Sequence, residues 1–327
     1  MTVTVKTKTK RRAAFFLASL FLLLMFFKNA TVAASAIADG LRLCATTLIP
    51  SLFPLMVASE LLVLSGAVER LGRFLSRPCR TLFGLSGDAF CAVLLGMLCG
   101  FPIGTRCAVS LYRDGRINEE DLSRVLAFSN HPSSAFLLST VGLSLFGSFR
   151  IGLLLYLSTL LSSLLLQIFF HLLRWDKRKK AGTRKARTLP PLSSEPPSFA
   201  SALSAAVSSS ALSLLSICAF VIFFSALVES LTHLCAGLSL SPAATALLFG
   251  IFELTGGVSH AALCPARIAP YLCAFSVGWA GLSVHFQLLY LTSDTSFSKS
   301  KYFFTKLAQG ALNIPIFALL LWTFGKT

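Results

Sequence analysis

Long apolar runs alternate with short polar interruptions along this chain, and several runs are long enough to cross a bilayer. Ala13–Phe27, 48–66 (LIPSLFPLMVASELLVLSG), Ile151–Leu173, 214–231 (LLSICAFVIFFSALVESL) and 311–325 are predominantly apolar. Runs near the length that spans a hydrocarbon core predict transmembrane helices. Two weaker stretches precede such runs. Residues 30–47 mix polar and apolar positions, as an interfacial amphipathic helix does, and 200–212 is a Ser/Ala-rich amphipathic stretch.

The remaining apolar segments are interrupted. Residues 89–112 (AFCAVLLGMLCGFPIGTRCAVSLY) carry Gly100, Pro102, Gly104 and Arg106 in mid-run, and 241–262 is interrupted by Gly and Pro in the same manner. Residues 117–147 read as a crossing helix broken at AFSNHPSSAF, where Pro132 follows three hydrogen-bonding side chains. A last crossing is expected to break near Gly278. Broken backbone survives at membrane depth only when buried in protein or facing a water-filled cavity. Both flanks of 89–112 carry arginine, so that segment is predicted to enter and leave on one side as a re-entrant hairpin.

Composition agrees with this pattern: 55% of the 327 residues are hydrophobic and 13% charged, with a mean hydropathy of +0.75. A net charge of +16 would suggest nucleic acid, but its distribution points elsewhere. Cations gather at Lys6 to Arg12 and at Arg174 to Arg187, beside apolar runs, as cytoplasmic loops do under the positive-inside rule. The N-terminus, the Pro-rich linker 174–199 and the SKSKYFFTK loop (298–306) are therefore expected inside the cell. The basic start and the apolar run after it also resemble a cleaved signal peptide, with an uncleaved first span the favoured reading. Nine scattered cysteines form no CxxC, which suggests neither a disulfide framework nor a metal site. No HExxH, GxSxG or nucleotide-binding loop is present, so an enzyme or an ATP-driven pump is not expected. The expected partners are a small-molecule solute and membrane lipid, with room for a second copy or other membrane proteins, and no nucleic acid. No cofactor is expected beyond a coupling Na⁺ or H⁺.

The two halves of the chain repeat one another. LIPSLFPLMVASELL sets Glu60 late in its run, and SICAFVIFFSALVESL does the same with Glu229. LLGMLCGFPIG parallels LFGIFELTGG, aligning Gly96 with Gly250, and AFSNHPSSAF parallels AFSVGWAGLS, aligning Ser129 with Ser276. The charge pattern runs the first copy inward where it runs the second outward. The predicted fold is an all-α polytopic membrane protein with an inverted-topology repeat, each half holding a re-entrant hairpin and a broken transmembrane helix. Its divisions are 1–29 (first span), 30–173 (first repeat), 174–199 (linker) and 200–327 (second repeat). Paired broken helices in corresponding positions point to a midplane binding site in a secondary transporter.

Ionisable groups inside spans are costly and are functional candidates by default. Glu60, Glu229 and Glu253 are candidates for ion coupling, and Glu253 also for binding solute. Arg106, beside Thr105 just past the first hairpin tip, could grip a carboxylate bidentately or snorkel to the surface. His131 and His285 flank the two breaks, with Gln287 and Trp279 as weaker candidates. Helix breaks also offer unpaired N–H groups that suit an anion. Ser129, Asn130, Ser133, Ser134, Thr255, Ser276 and Ser283 could complete its hydrogen bonding. Gly100, Gly104, Gly256, Gly257 and Gly278 allow close backbone approach.

At LIPSLFP, GFPIGTR, AFSNHPSSAF, FELTGG and GWAGLSVHFQ the chain resembles the YlbJ (SpoVV) family of bacterial sporulation membrane proteins, in the nucleoside-recognition or Gate domain group. The resemblance runs over roughly residues 40–320, in order and in both halves. It implies a fold similar to concentrative nucleoside transporters, in the forespore or mother-cell membrane, and movement of dipicolinic acid during sporulation. The leading expectation is a secondary transporter for a small polar solute, an anion by the resemblance. Nucleoside transport and a non-transporting assembly or sensing scaffold are the alternatives.

Overall fold

The computed structural model describes residues 2–173, 198–234 and 240–324, and every regular element among them is helical. The chain is an all-α membrane protein. The linker 174–199 lies outside the described residues up to 197, as does the basic run from Arg174 to Arg187.

The first apolar run belongs to helix α1 (Thr2–Lys28), whose Phe15, Phe16, Leu17 and Phe27 are exposed, as suits a lipid-facing surface. After it the chain bends by 93°. Helix α2 (Ala30–Leu43), a widened π turn (Cys44–Leu48) and α3 (Ile49–Leu64) then follow end to end. Residues 30–47 are therefore not a separate interfacial helix. Ala33, Ala36 and Gly40 are buried on α2, and a Cβ on Gly40 would lie 3.3 Å from the Ile222 backbone of α9 (Phe199–Leu234). Small residues at such contacts let helices approach closely without a hydrophobic driving force between them.

The partner, α9, joins 200–212 and 214–231 in one 36-residue helix, about 54 Å long and longer than a bilayer core is thick. It runs antiparallel to α2–α3: Asn29 bonds the Ser230 carbonyl at 3.5 Å, and Cys44 faces the Cys218 carbonyl at 3.9 Å. Each repeat therefore opens with a long helix, and the two long helices point in opposite directions.

Amphipathic α4 (Ala67–Phe83) follows in the first repeat, and then both repeats make the same short hairpin. In the first, α5 (Gly87–Cys99) turns at Gly100 into α6 (Ile103–Arg113). In the second, α10 (Pro242–Phe252) turns at Glu253 into α11 (Leu254–Ala262). Neither arm reaches the length of a span. Ser86 and Ser241 cap α5 and α10 by accepting N–H bonds three residues on, which explains where these arms start.

A broken helix comes next in each half. Helix α7 (Glu119–Phe128), capped by Asn118, ends at Ser129; after an irregular stretch a helix resumes and widens to π over Phe136–Leu145. In the second half α12 (Ala269–Trp279) and α13 (Gly281–Leu291) meet at Ala280, which has φ 76°. The second break falls at Ala280, two residues past Gly278 and so near it, as expected. Gly278 lies inside α12, where its missing side chain admits α14 (Lys299–Phe324): a Cβ there would meet the Gln309 carbonyl and Gly310 Cα at 2.9 Å.

Helices α8 (Phe149–Leu172) and α14 close the two repeats and carry facing polar strips. Ser158, Thr159, Ser162, Ser163 and Gln167 are buried on α8; Tyr302, Lys306, Gln309 and Asn313 are buried on α14. Asn313 donates to the Thr159 hydroxyl at 3.2 Å and Gln309 to the Thr159 carbonyl at 3.3 Å. The expected SKSKYFFTK loop is largely the first turns of α14, with Tyr302 1% and Lys306 0% exposed.

The two halves also repeat at the level of single contacts. Gly96 on α5 packs against Gly104 on α6 and Ser129 at the first break. Their aligned counterparts do the same: Gly250 on α10 packs against Gly257 on α11 and Ser276 on α12. In both copies a hairpin is clamped to its broken helix through two glycines and a serine.

Alanine at either clamp should force the hairpin arms apart. A Cβ on Gly104 would lie 2.7 Å from Gly96 Cα, and one on Gly257 would lie 2.7 Å from the Gly250 nitrogen. Gly104→Ala and Gly257→Ala should each cost about 1–3 kcal/mol, read as a lower thermal midpoint in detergent. Ser139→Ala, at an exposed position, should leave the midpoint unchanged. Unchanged melting of both glycine variants would refute the packing.

Candidate functional site

Four discontinuities of the backbone converge on one small cavity. Phe101 comes from the first hairpin tip, and Pro132, Ser133 and Phe136 from the first break. Glu253, Leu254 and Thr255 come from the second hairpin tip, and Ser283, Val284 and Gln287 from just beyond the second break. Leu48 and Leu52 of the first long helix, with Ile217 and Val221 of α9, complete the wall.

The wall is held by bonds between tips and breaks. The Phe101 N–H donates to the His131 carbonyl at 2.7 Å, and the Ser134 hydroxyl to the Leu98 carbonyl at 3.2 Å. Gly100, at φ 84°, sits where a Cβ would meet the Ser133 backbone, and Gly281 packs as closely on Glu253 and Leu254. The Ser133 hydroxyl caps the resuming helix by accepting from the Phe136 N–H at 3.2 Å. Glu253 is 3% exposed and caps α11, accepting from the Thr255 and Gly256 N–H groups at 2.9 and 2.6 Å. Its carboxyl group therefore sits at a helix N-terminus, where the helix dipole favours negative charge.

Of the residues singled out in the sequence, Ser133, Glu253, Thr255, Ser283 and Gln287 line the cavity. Gln287 offers an amide oxygen that bonds nothing among the described residues, while its nitrogen reaches the Ser283 hydroxyl at 3.5 Å. Asn130, His131 and His285 lie one layer back and are almost fully buried. Ser129 and Ser276 with Gly104 and Gly257 are taken up in the clamps, and Gly256 gives its N–H to Glu253. Thr105 is buried beside Arg106, its hydroxyl without a partner among the described residues. Pro102 leads into α6, and Trp279 donates to the Ile251 carbonyl at 3.0 Å.

Two expectations are redirected. Arg106 neither faces the cavity nor snorkels free: it pairs with Glu60 at 3.1 Å and bonds the Ser209 hydroxyl. Glu60 is therefore committed to a cross-helix ion pair between α3 and α6. Glu229 is half-buried on α9, outside the cavity lining and within electrostatic reach of His260 on α11. Each late glutamate thus stands near a basic side chain on the outgoing arm of its own hairpin.

Behind the first break lies a polar cluster that the sequence reading missed. The Lys306 ammonium donates to the Asn130 carbonyl at 2.9 Å and to the Gln309 side-chain oxygen at 2.7 Å. Asn130 donates to the Tyr302 hydroxyl at 2.9 Å, which also lies 2.7 Å from His285 Nδ1. His131 reaches the Phe128 carbonyl through Nε2 and Gln309 through Nδ1. Tyr302, Lys306, Gln309 and Asn313 fall at intervals of three and four, which is one helix face. That spacing was the available signal, and reading 298–306 as a loop concealed it.

Comparison with known proteins fits this construction. The chain is 26% identical over 347 residues to the sporulation integral membrane protein YlbJ of Bacillus subtilis (strain 168), covering 97% of this chain and 83% of the relative. The chain is similar to YlbJ along nearly its whole length. The resemblance read from its motifs is borne out at the level of that family, and the similarity to YlbJ extends across both repeats. No family model matches the chain, and no solved structure matches it.

The Arg106–Glu60 pair has side chains only 13% and 28% exposed, so removing one partner strands a poorly solvated charge. Arg106→Ala and Glu60→Ala should each destabilise the protein more than the double variant implies by addition. A double-mutant cycle on thermal unfolding should return a coupling of about 1–3 kcal/mol. Simple additivity would show that the two groups act separately.

Proposed function

We propose that this protein is a secondary transporter that moves a small polar solute by alternating access. The observation that carries the reading is the convergence of two hairpin tips and two helix breaks, from oppositely directed repeats, on one cavity. Such an arrangement lets one repeat rock against the other around a fixed site. The membrane is a bacterial cell membrane in sporulation, with the N-terminus and the 174–199 linker on the cytoplasmic side. Cation clustering supports that orientation, and the similarity to a sporulation membrane protein supports the setting.

The first solute to test is an aromatic dicarboxylate such as dipicolinic acid. Phe101 and Phe136 offer apolar faces to a ring. Helix starts near Ser133 and Gly281 supply N–H groups and partial positive charge. Lys306 adds a positive charge one layer behind Ser133. Arg106 pairs with Glu60 and is not among the residues that line this cavity. A second reading, a nucleoside, is favoured by the lining itself: its ionisable member is Glu253, and the Gln287 oxygen awaits a donor. A neutral solute rich in O–H and N–H groups satisfies both acceptors.

Uptake of labelled dipicolinate and labelled nucleosides into proteoliposomes separates these readings. Saturable dipicolinate uptake is expected and should be little changed by Gln287→Ala, because the dianion has no donor for that oxygen, whereas nucleoside uptake should fall about tenfold with the loss of one well-placed hydrogen bond. Thr255→Trp, which fills the cavity, should abolish uptake. Uptake of nucleosides alone moves the assignment to the second reading. No uptake of either by folded protein favours a non-transporting scaffold.

A further inference from the structure

Lys306 is a buried amine that pairs with no carboxylate among the described residues. Its side chain is 0% exposed, and its two acceptors are a backbone carbonyl and an amide oxygen. An ammonium is seldom buried without a counter-charge, because desolvation is not repaid by neutral oxygens alone. The groups around it are basic or neutral: His131 at the break, His285 on α13, Tyr302 and Gln309 on its own helix, and Thr159 on α8. None of them neutralises it.

What this amine does touch is the end of a half-helix. Where α7 stops, carbonyls lose their intrahelical partners and carry the negative end of the helix dipole. The Phe128 carbonyl is taken by His131 and Ser163, and the Asn130 carbonyl by Lys306. One residue further on, the His131 carbonyl holds Phe101 at the hairpin tip, and Pro132 and Ser133 form the cavity wall. Unwound carbonyls and half-helix C-termini beside a transport site are what coordinate a coupling Na⁺ in broken-helix transporters. Here the oxygen-lined position is occupied by the chain's own ammonium.

We infer that Lys306 is a tethered substitute for an inorganic coupling cation at the first break, so that the site is complete without Na⁺. The inference rests on the transporter reading for its meaning, but part of its test does not. Lys306 is a positioning residue: it holds the break that shapes the wall and does not itself line the cavity.

Thermal unfolding of the full-length protein in detergent, in choline, sodium or ammonium chloride, tests the substitution without any solute. The wild-type midpoint should be the same in all three salts. Lys306→Ala, which empties the ammonium position, should melt several degrees lower in choline and recover in a saturable manner with sodium or ammonium. Lys306→Met, which fills the space with an uncharged chain, should be destabilised and not rescued. A wild-type midpoint raised by sodium over choline overturns the inference, because the protein would then hold a metal cation as well. So does a Lys306→Ala variant that is as stable as wild type or that no small cation rescues. In proteoliposomes, wild-type uptake should be unchanged when sodium is replaced by choline, and a sodium requirement overturns the inference. If no solute is taken up, the transporter reading fails while the salt dependence of melting still decides the role of Lys306.

Discussion

A helix that stops inside a membrane leaves backbone N–H and C=O groups that neither water nor lipid can satisfy, and the rest of this structure answers that demand. Each unpaired group in a low-dielectric interior costs on the order of several kcal/mol. The four interruptions, at Gly100, Ser129–Ser133, Glu253 and Ala280, therefore need partners close at hand. The first hairpin tip donates to the first break through Phe101, and Ser133 and Glu253 cap the helices that resume. Lys306, Ser163 and Asn313 reach in from the flanking helices to carbonyls of the broken ones. The polar strips of α8 and α14 exist on this view to service the breaks, which is why such residues occupy spans that would otherwise be uniformly apolar.

The same demand explains the glycine clamps. A hairpin tip can bond a break only if the backbones approach within contact, and side chains on both arms would prevent it. Gly96, Gly104 and Ser129 in one half, and Gly250, Gly257 and Ser276 in the other, solve this with the same three residue types. Close packing then leaves the cavity between the two clamped units and not within either. In the proposed transport cycle, movement of one unit against the other opens that cavity while keeping each clamp intact.

Charge is placed with corresponding economy. The ionisable side chain on the cavity wall, Glu253, is held on a helix N-terminus, and the Arg106 guanidinium is neutralised by Glu60 away from the cavity. The buried positive charge of Lys306 stands behind the wall and is shared with carbonyl oxygens. Helix termini therefore stand closer to the cavity than the Lys306 amine, which lies one layer removed. The fields of such termini favour a class of solute without fixing its identity, for which Gln287, Phe101 and the cavity's shape are better placed.

The long apolar runs, the Gly/Pro interruptions and the repeated Glu, Gly and Ala-Phe-Ser positions were legible in the sequence, because membrane burial and backbone breakage restrict residue type directly. Those signals located the hairpins, the first break and five cavity residues. They placed the second break to within two residues: Gly278 itself packs against α14, while Ala280 adopts the left-handed conformation. They divided two continuous helices, α2–α3 and α9, because a polar and small-residue face packed against another helix looks the same in sequence as one lying at an interface. Partners were beyond the sequence altogether: that Arg106 meets Glu60 and that Lys306 reaches Asn130 depends on which helices touch. Composition and periodicity determine what each segment can bury, and tertiary packing decides which polar group answers which, because that pairing joins residues far apart in the chain.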